Sequence, residues 1–289
     1  MSALRPSFAI RPARAEDRDA VLAFTTATWS WGDYLAEVWD SWLAEEQGVL
    51  AVGEAAGRVV GVDKLTFLSP SEAFFQGLRI DPAVRGRGYA QAFQNYMLAE
   101  AARQGARTVR LITAHDNSAI HHMAERDGLM RGPHLVPWHT KALVAAPAAP
   151  ALLLPRSPVA AAAWADLPTG PLWPLLGGRV VHHWQVQAWT ADLWTAWVAA
   201  GAVWSTPDGL IVLAPPRPGS TSRFLAWLHP ATAAPAALAA LAQAAHHLVM
   251  PNTSLQSLLP PDPTLTTALT AAGWTADPAD AQVIFEKAL

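Results

Sequence analysis

The sequence predicts an α/β protein of the α+β kind, in two similar halves, each a mixed and mostly antiparallel sheet flanked by helices. Three observations predict it. Residues 78–128 read as strand, glycine-bearing loop, helix, strand, helix. A Pro/Ala stretch over residues 144–150 reads as a linker. Beyond that linker the same order of elements recurs, which is the mark of an internal repeat.

The first half opens with an apolar stretch at residues 8–13, read as a strand. Residues 49–54 and 59–68 read as a hairpin around Gly57. Between these strands, residues 28–40 are aromatic and acidic, with Leu35, Val38, Trp39 and Trp42 on one helical stripe. Trp29, Trp31 and Tyr34 there are candidates to hold an apolar ligand body, with Asp33 or Glu37 facing its amine; core packing with a solvated acidic face is the other reading.

The most informative run is Leu78-Arg79-Ile80-Asp81-Pro82-Ala83-Val84-Arg85-Gly86-Arg87-Gly88-Tyr89-Ala90. An apolar strand stops at Asp81-Pro82, a basic loop follows, and a helix starts near Gly88. The first N–H groups of a helix lack internal partners and sit at the positive end of its dipole, so this order builds an anion site. Glycines let the backbone approach a ligand, and Arg85 and Arg87 add charge. Phe93, Tyr96, Met97 and Ala101 give the helix one apolar face, with Glu100 at its edge and a glycine stop at Gly105. Residues 108–113 read as a strand, and Asp116-Asn117-Ser118 as the capped start of a helix reaching about Gly128.

Arg85-x-x-Gly88-x-Ala90, set between strand and helix, resembles the acyl-CoA loop of the GNAT N-acetyltransferase superfamily, which reads Gln/Arg-x-x-Gly-x-Gly/Ala. The resemblance covers roughly residues 5–143. It implies acetyl-CoA as cosubstrate, held by Leu78, Arg79, Ile80, Arg85, Gly86, Arg87, Gly88, Tyr89 and Ala90. Asn117 is either a helix cap or a contact to the pantetheine arm. The family's helix pattern Asn-x-x-Ala-x-x-Leu-Tyr-x-Lys-x-Gly-Phe aligns with residues 117–129 and puts Ala124 where a tyrosine acid usually stands. Thiolate can leave unaided, or Tyr89, His121 or His122 can substitute. The family often carries a glutamate base on the strand before the loop; here Gln76 cannot serve, and Glu72 lies far down the strand. Candidate catalytic residues are therefore Glu72, His122 and Tyr89. His121 and His122 are otherwise packing or surface residues, and their spacing with His115 makes no metal site.

The halves divide as residues 1–143, a Pro/Ala linker over 144–158, and residues 159–289. The first carries 15 Lys/Arg and 16 Asp/Glu, the second with the linker 5 and 7, yet nine of the 14 tryptophans. Arg223-Phe224-Leu225-Ala226-Trp227-Leu228-His229-Pro230 matches the strand ending at Pro82, and residues 235–247, 255–259 and 264–272 read as helix, strand and helix. Residues 202–205 and 210–213 flank Pro207-Asp208-Gly209 as a hairpin. Ala231-Thr232-Ala233-Ala234-Pro235 replaces the basic loop, without glycine or arginine. The second half thus reads as a degenerate GNAT-like copy with no phosphate loop.

The totals bound the rest. There is no cysteine among 289 residues, which excludes disulfides and thiolate chemistry and fits a cytoplasmic protein. A net charge of −3 gives no sign of a nucleic-acid surface, and no apolar run has the length of a membrane span. The expected partners are a small-molecule or peptide amine, with no nucleic acid, no membrane and no metal. The expected assembly is a monomer, by tandem pseudo-dimer, or a homodimer. The expected activity is transfer of an acetyl or short acyl group from acyl-CoA to an amine. The rivals are a non-catalytic acyl-CoA-binding pseudoenzyme and a nucleotide-binding regulator.

Overall fold

The computed structural model describes residues 8–29, 32–142, 154–155, 163–217 and 220–289. Trp31 and all of the expected 144–158 linker except Leu154–Pro155 lie outside the described residues. The chain forms two compact units that interleave in sequence. One runs to Leu111 and adds Ala119–Met130 and Phe285–Leu289; the other holds Ile112–Ser118 and Arg131–Ile284.

In the first unit, β1 (Phe8–Pro12), β2 (Gly48–Ala55), β3 (Arg58–Ser69) and β4 (Glu72–Ile80) pair antiparallel in sequence order. The β2–β3 turn falls at Ala56-Gly57, where both residues have positive φ, as the hairpin reading expects. β5 (Thr108–Ala114) then pairs parallel to β4. A parallel pair needs a crossover, and α3 (Tyr89–Arg103) supplies it. α1 (Arg18–Thr25) and α2 (Leu35–Leu43) cover one sheet face, where Val21, Leu35, Trp39 and Trp42 pack on Leu50, Val52 and Val62. α3 covers the other, its Phe93 and Met97 fully buried. It stops at Gly105, and Glu100 sits at the edge of the apolar stripe, paired with Arg103. α4 (Ser118–Arg126) follows β5.

The second unit carries β6 (Met130–His139), paired antiparallel with β13 (Ser254–Leu259). β13 lies parallel to β12 (Ser222–Pro230), which pairs antiparallel with β11 (Gly209–Leu213), and that with β10 (Val203–Thr206). β7 (Leu154–Pro155) adds to β10, and β14 (Thr275–Ala276) to β6. β8 (Arg179–His182) and β9 (Gln185–Ala188) make a separate hairpin. The helices are α5 (Leu172–Leu176), α6 (Ala191–Ala199), α7 (Pro235–Ala244) and α8 (Pro263–Ala271). The last strand, β15 (Gln282–Ala288), gives its residues from Phe285 to the first unit.

The order antiparallel pair, helix, parallel strand, helix thus occurs twice, as β3-β4-α3-β5-α4 and as β11-β12-α7-β13-α8. What fills the second unit differs. Trp173, Trp189, Trp194, Trp197 and Trp227 meet edge to face with ring centroids 5.1–6.4 Å apart, a core that needs few charges around it. Among the described residues no helix is long and apolar enough to cross a membrane.

Candidate active site

The basic loop is built by a sharp end to β4. The Asp81 carboxylate accepts from the Ala83 N–H at 2.9 Å, and Pro82 opens a short 3-10 turn through Val84. Gly86 and Gly88 follow with φ of 75° and 83°, a region side chains resist. A Cβ at either would meet nothing within 4 Å, so the backbone faces open space there. Gly88 caps α3 without a side chain, leaving the first-turn N–H groups to solvent. Arg85 and Arg87 are exposed, and Arg85 Nε donates to the Ile80 carbonyl at 3.3 Å. The structure therefore brings Arg85, Gly86, Arg87, Gly88 and Ala90 together around one helix N-terminus. Glycines that leave room beside free N–H groups fit the pyrophosphate of a CoA molecule.

Tyr89 points elsewhere. Its ring stacks on Phe8 with centroids 4.0 Å apart and planes 7° from parallel, and it is buried with Val60 and Ile80. That packing fixes the start of α3 to β1.

β4 bends before it reaches the loop. Val62 pairs with Arg79 and Lys64 with Gln76, so Asp63 alone faces both Gly77 and Leu78: a β-bulge. Gly77 has φ 81°, and a Cβ there would lie 2.7 Å from the Trp42 ring. The parallel ladder to β5 ends at Phe75–Leu111, just before the bulge. The sequence carried this signal as a lone glycine inside a strand.

Opposite the bulge, Asp63 is a buried group that the sequence reading passed over. It is 3 % exposed and, among the described residues, accepts from the Lys64 N–H at 3.0 Å. Burial pushes its carboxyl well above the usual carboxylate range, against weaker pulls from that N–H and from Arg79. On the other face Lys64 pairs with Glu45 at 2.6 Å, and Gln76 donates to Thr66 Oγ1 at 2.9 Å. Gln76 is thus a spacer in a hydrogen-bond chain.

Glu72 does not reach the loop. It stands eight residues before Ile80, about 26 Å along an extended strand, and pairs with Arg110 at 2.8 Å. Arg110 is buried and also pairs with Glu286. Glu72 therefore joins an ion-pair triad with Arg110 and Glu286. His122 lies on the exposed side of α4, whereas His121 is buried with its ring 5.3 Å from that of Phe285. Ala124 is fully buried. Asn117 falls in the second unit, where its Nδ2 donates to Thr113 Oγ1 at 3.1 Å.

The aromatic and acidic segment turns inward differently from the expectation. Asp33, with its side chain 2 % exposed, binds Arg79 at 2.8 Å, and the Arg79 guanidinium lies 4.5 Å from the Trp29 ring centroid and 5.4 Å from that of Tyr34. Trp29 and Tyr34 stack with centroids 6.0 Å apart, and Trp29 stays 40 % exposed. Asp33 is thus ion-paired with Arg79, and Glu37 is exposed. The Arg79 side chain is held in this wall, which leaves its backbone on β4 next to Ile80. Among the described residues no group of three or more His, Asp or Glu side chains is placed to hold a metal ion.

Comparison with known proteins matches these features to a family. The sequence model of the acetyltransferase (GNAT) family matches residues 18–129, from the start of α1 to just past α4. No curated protein sequence gives a significant match. Among solved structures, a GCN5-related N-acetyltransferase from Sphaerobacter thermophilus aligns with a TM-score of 0.64 at 13 % identity, over 97 % of this chain and 95 % of its own. A protein from Thermoplasma acidophilum, provisionally described as an acetyltransferase, aligns at 0.63 and 13 % over 97 % and 100 %. Another so described, from Pyrococcus horikoshii, aligns at 0.59 and 11 % over 98 % and 89 %. At such identities the likeness is one of fold, and it spans both units. Residues 18–129 thus match the acetyltransferase (GNAT) family model, and the fold of the chain is shared with solved structures described as acetyltransferases.

Proposed function

We propose that this protein is an acyl-CoA-dependent N-acetyltransferase, moving an acetyl group from acetyl-CoA to the amine of a small molecule or peptide. One observation carries the reading: two left-handed glycines, each beside open space, at the uncapped N-terminus of α3. The N–H groups of residues 86–90 would hold the pyrophosphate, with Arg85 and Arg87 adding charge. Acetyl-CoA, when bound, supplies an activated thioester. The backbone of residues 78–80, past the bulge, is the stretch that would orient it.

The second unit then serves as a degenerate GNAT-like copy. Only four residues separate β12 from α7, and a proline opens that helix. It binds no CoA of its own in this reading.

For chemistry, the side chains near the loop are mostly committed: Tyr89 to packing, Gln76 to Thr66, and Arg79 to Asp33. Proton removal from the amine therefore passes to water, and catalysis rests on proximity and a polarised carbonyl. The same commitments favour a second reading, a binder of acyl-CoA without turnover. A turnover assay with acetyl-CoA and a panel of amines, beside calorimetry with CoA, decides. Acetylation with one CoA site per chain supports the proposal. CoA binding without acetylation of any amine supports the binder. No CoA binding at all refutes both.

A further inference from the structure

The second half of the chain holds only five Lys/Arg, linker included, so it matters where one of them is put. Arg223, near the start of β12, is partly buried. Its Nε is fully buried without a hydrogen-bond partner, and its other contact is a long one from Nη2 to the Ala214 carbonyl at 3.4 Å. Among the described residues no carboxylate lies within ion-pair distance of it. A guanidinium partly withdrawn from water without a counter-charge is unfavourable to the fold, and burial holds its pKa below the usual arginine value.

Beside it stands a strained turn. β8 and β9 are joined by two residues, His183 and Trp184, with φ of 47° and 65°. Such turns favour Asn-Gly because both positions need positive φ; neither residue here is a glycine or an asparagine. The surroundings enforce the geometry. His183 Nε2 donates to the Pro215 carbonyl at 2.8 Å, Arg217 Nη2 donates to the His183 carbonyl at 2.9 Å, and the His183 ring packs on Phe224 at 5.6 Å. Burial lowers the His183 pKa, against the hydrogen bond to Pro215 and with repulsion from Arg217 and Arg223 acting the same way. Trp184 is left 41 % exposed at the tip. Both anchors, Ala214 from Arg223 and Pro215 from His183, are consecutive residues. The cation and the turn therefore meet on one short segment, inside one unit.

Strain held in place by side chains, next to an uncompensated cation and an exposed indole, marks a site rather than a packing accident. We propose that Arg223 and the His183–Trp184 turn form a binding site for a small carboxylate with a flat apolar body. The carboxylate would take the exposed Nη edge of Arg223, which matches a planar oxyanion, and the apolar body would lie on Trp184. This site is independent of the basic loop in the other unit, so it stands or falls apart from the acetyltransferase reading.

The test uses the full chain with benzoate as probe, and inorganic phosphate and acetate as comparators. Calorimetry should show one benzoate site, with acetate weaker by about tenfold or more. Arg223→Met should lower benzoate affinity at least tenfold while melting no lower than the wild type, because it removes an unpaired cation. Arg223→Lys should give an intermediate loss, and Trp184→Ala should bring benzoate down to the level of acetate. No benzoate binding at millimolar concentration, or equal affinity in Arg223→Met, would overturn the site. Phosphate binding in preference to benzoate would overturn the carboxylate assignment.

Discussion

Gly88→Val separates the cost of a left-handed backbone from the loss of a ligand. Gly88 has φ 83° and no atom within 4 Å of where a Cβ would stand. The variant therefore meets no clash in the free protein. It bears only the strain of an L-residue in the left-handed region, about 1–2 kcal/mol, a fall of a few degrees in melting temperature. With CoA the outcome differs, since the new side chain fills the space the backbone leaves for phosphate. Losing one charge-assisted hydrogen bond costs about 1.5–3 kcal/mol, so calorimetry should show CoA bound at least tenfold more weakly. Gly57→Val is the matched control. Gly57 has φ 74°, equally open surroundings and a place on the β2–β3 turn. It should lose as much stability as Gly88→Val and keep wild-type CoA affinity. If the two variants bind CoA equally well, the loop does not hold phosphate and the functional reading loses its main support.

Three further outcomes follow from the geometry. Glu72→Gln should lower the melting temperature, because Arg110 loses one of its two partners, and leave turnover within about threefold; a fall of a hundredfold or more, the scale of a lost base, would restore Glu72 to the chemistry. Gly77→Ala should destabilise by about 2–5 kcal/mol in urea, adding left-handed strain to overpacking against Trp42; a neutral result would mean the bulge is not fixed by that contact. His122→Ala, on the exposed side of α4, should keep turnover within tenfold, and a loss of a hundredfold at unchanged CoA affinity would name it the acid.

Asp63 gives a prediction in pH. A carboxyl whose pKa is raised by folding supports the native state only when protonated. Its contribution is complete below the unfolded value near 3.9 and is lost as pH rises toward the native value. Burial raises Asp63, so Asp63→Asn should gain stability over the wild type at pH 7 and little or none at pH 4. Each tenfold change in proton affinity is worth about 1.4 kcal/mol. Melting curves at both pH values check this, and an equal difference at the two would show that the carboxyl is not held neutral by its site.

What the sequence made legible was local. Asp81, Pro82, Gly86 and Gly88 shape the basic loop through contacts within a few residues. Such features read directly, and so did the order of strands and helices around them. The site side chains failed for the opposite reason. Asp33 meets Arg79 across 46 positions, and Arg110 meets Glu286 across 176. No periodicity announces such pairs, so the ion pair of Asp33 with Arg79 was not legible in the sequence. The β8–β9 hairpin was missed because His183-Trp184 lacks the residues that advertise a tight turn. That gap is itself informative. Where local preference and native geometry disagree, tertiary contacts must impose the geometry, and here the imposing groups are Pro215, Arg217 and Phe224. A turn so maintained in the charge-poor half, beside an arginine with no counter-ion among the described residues, is what the ligand proposed for the second unit would explain.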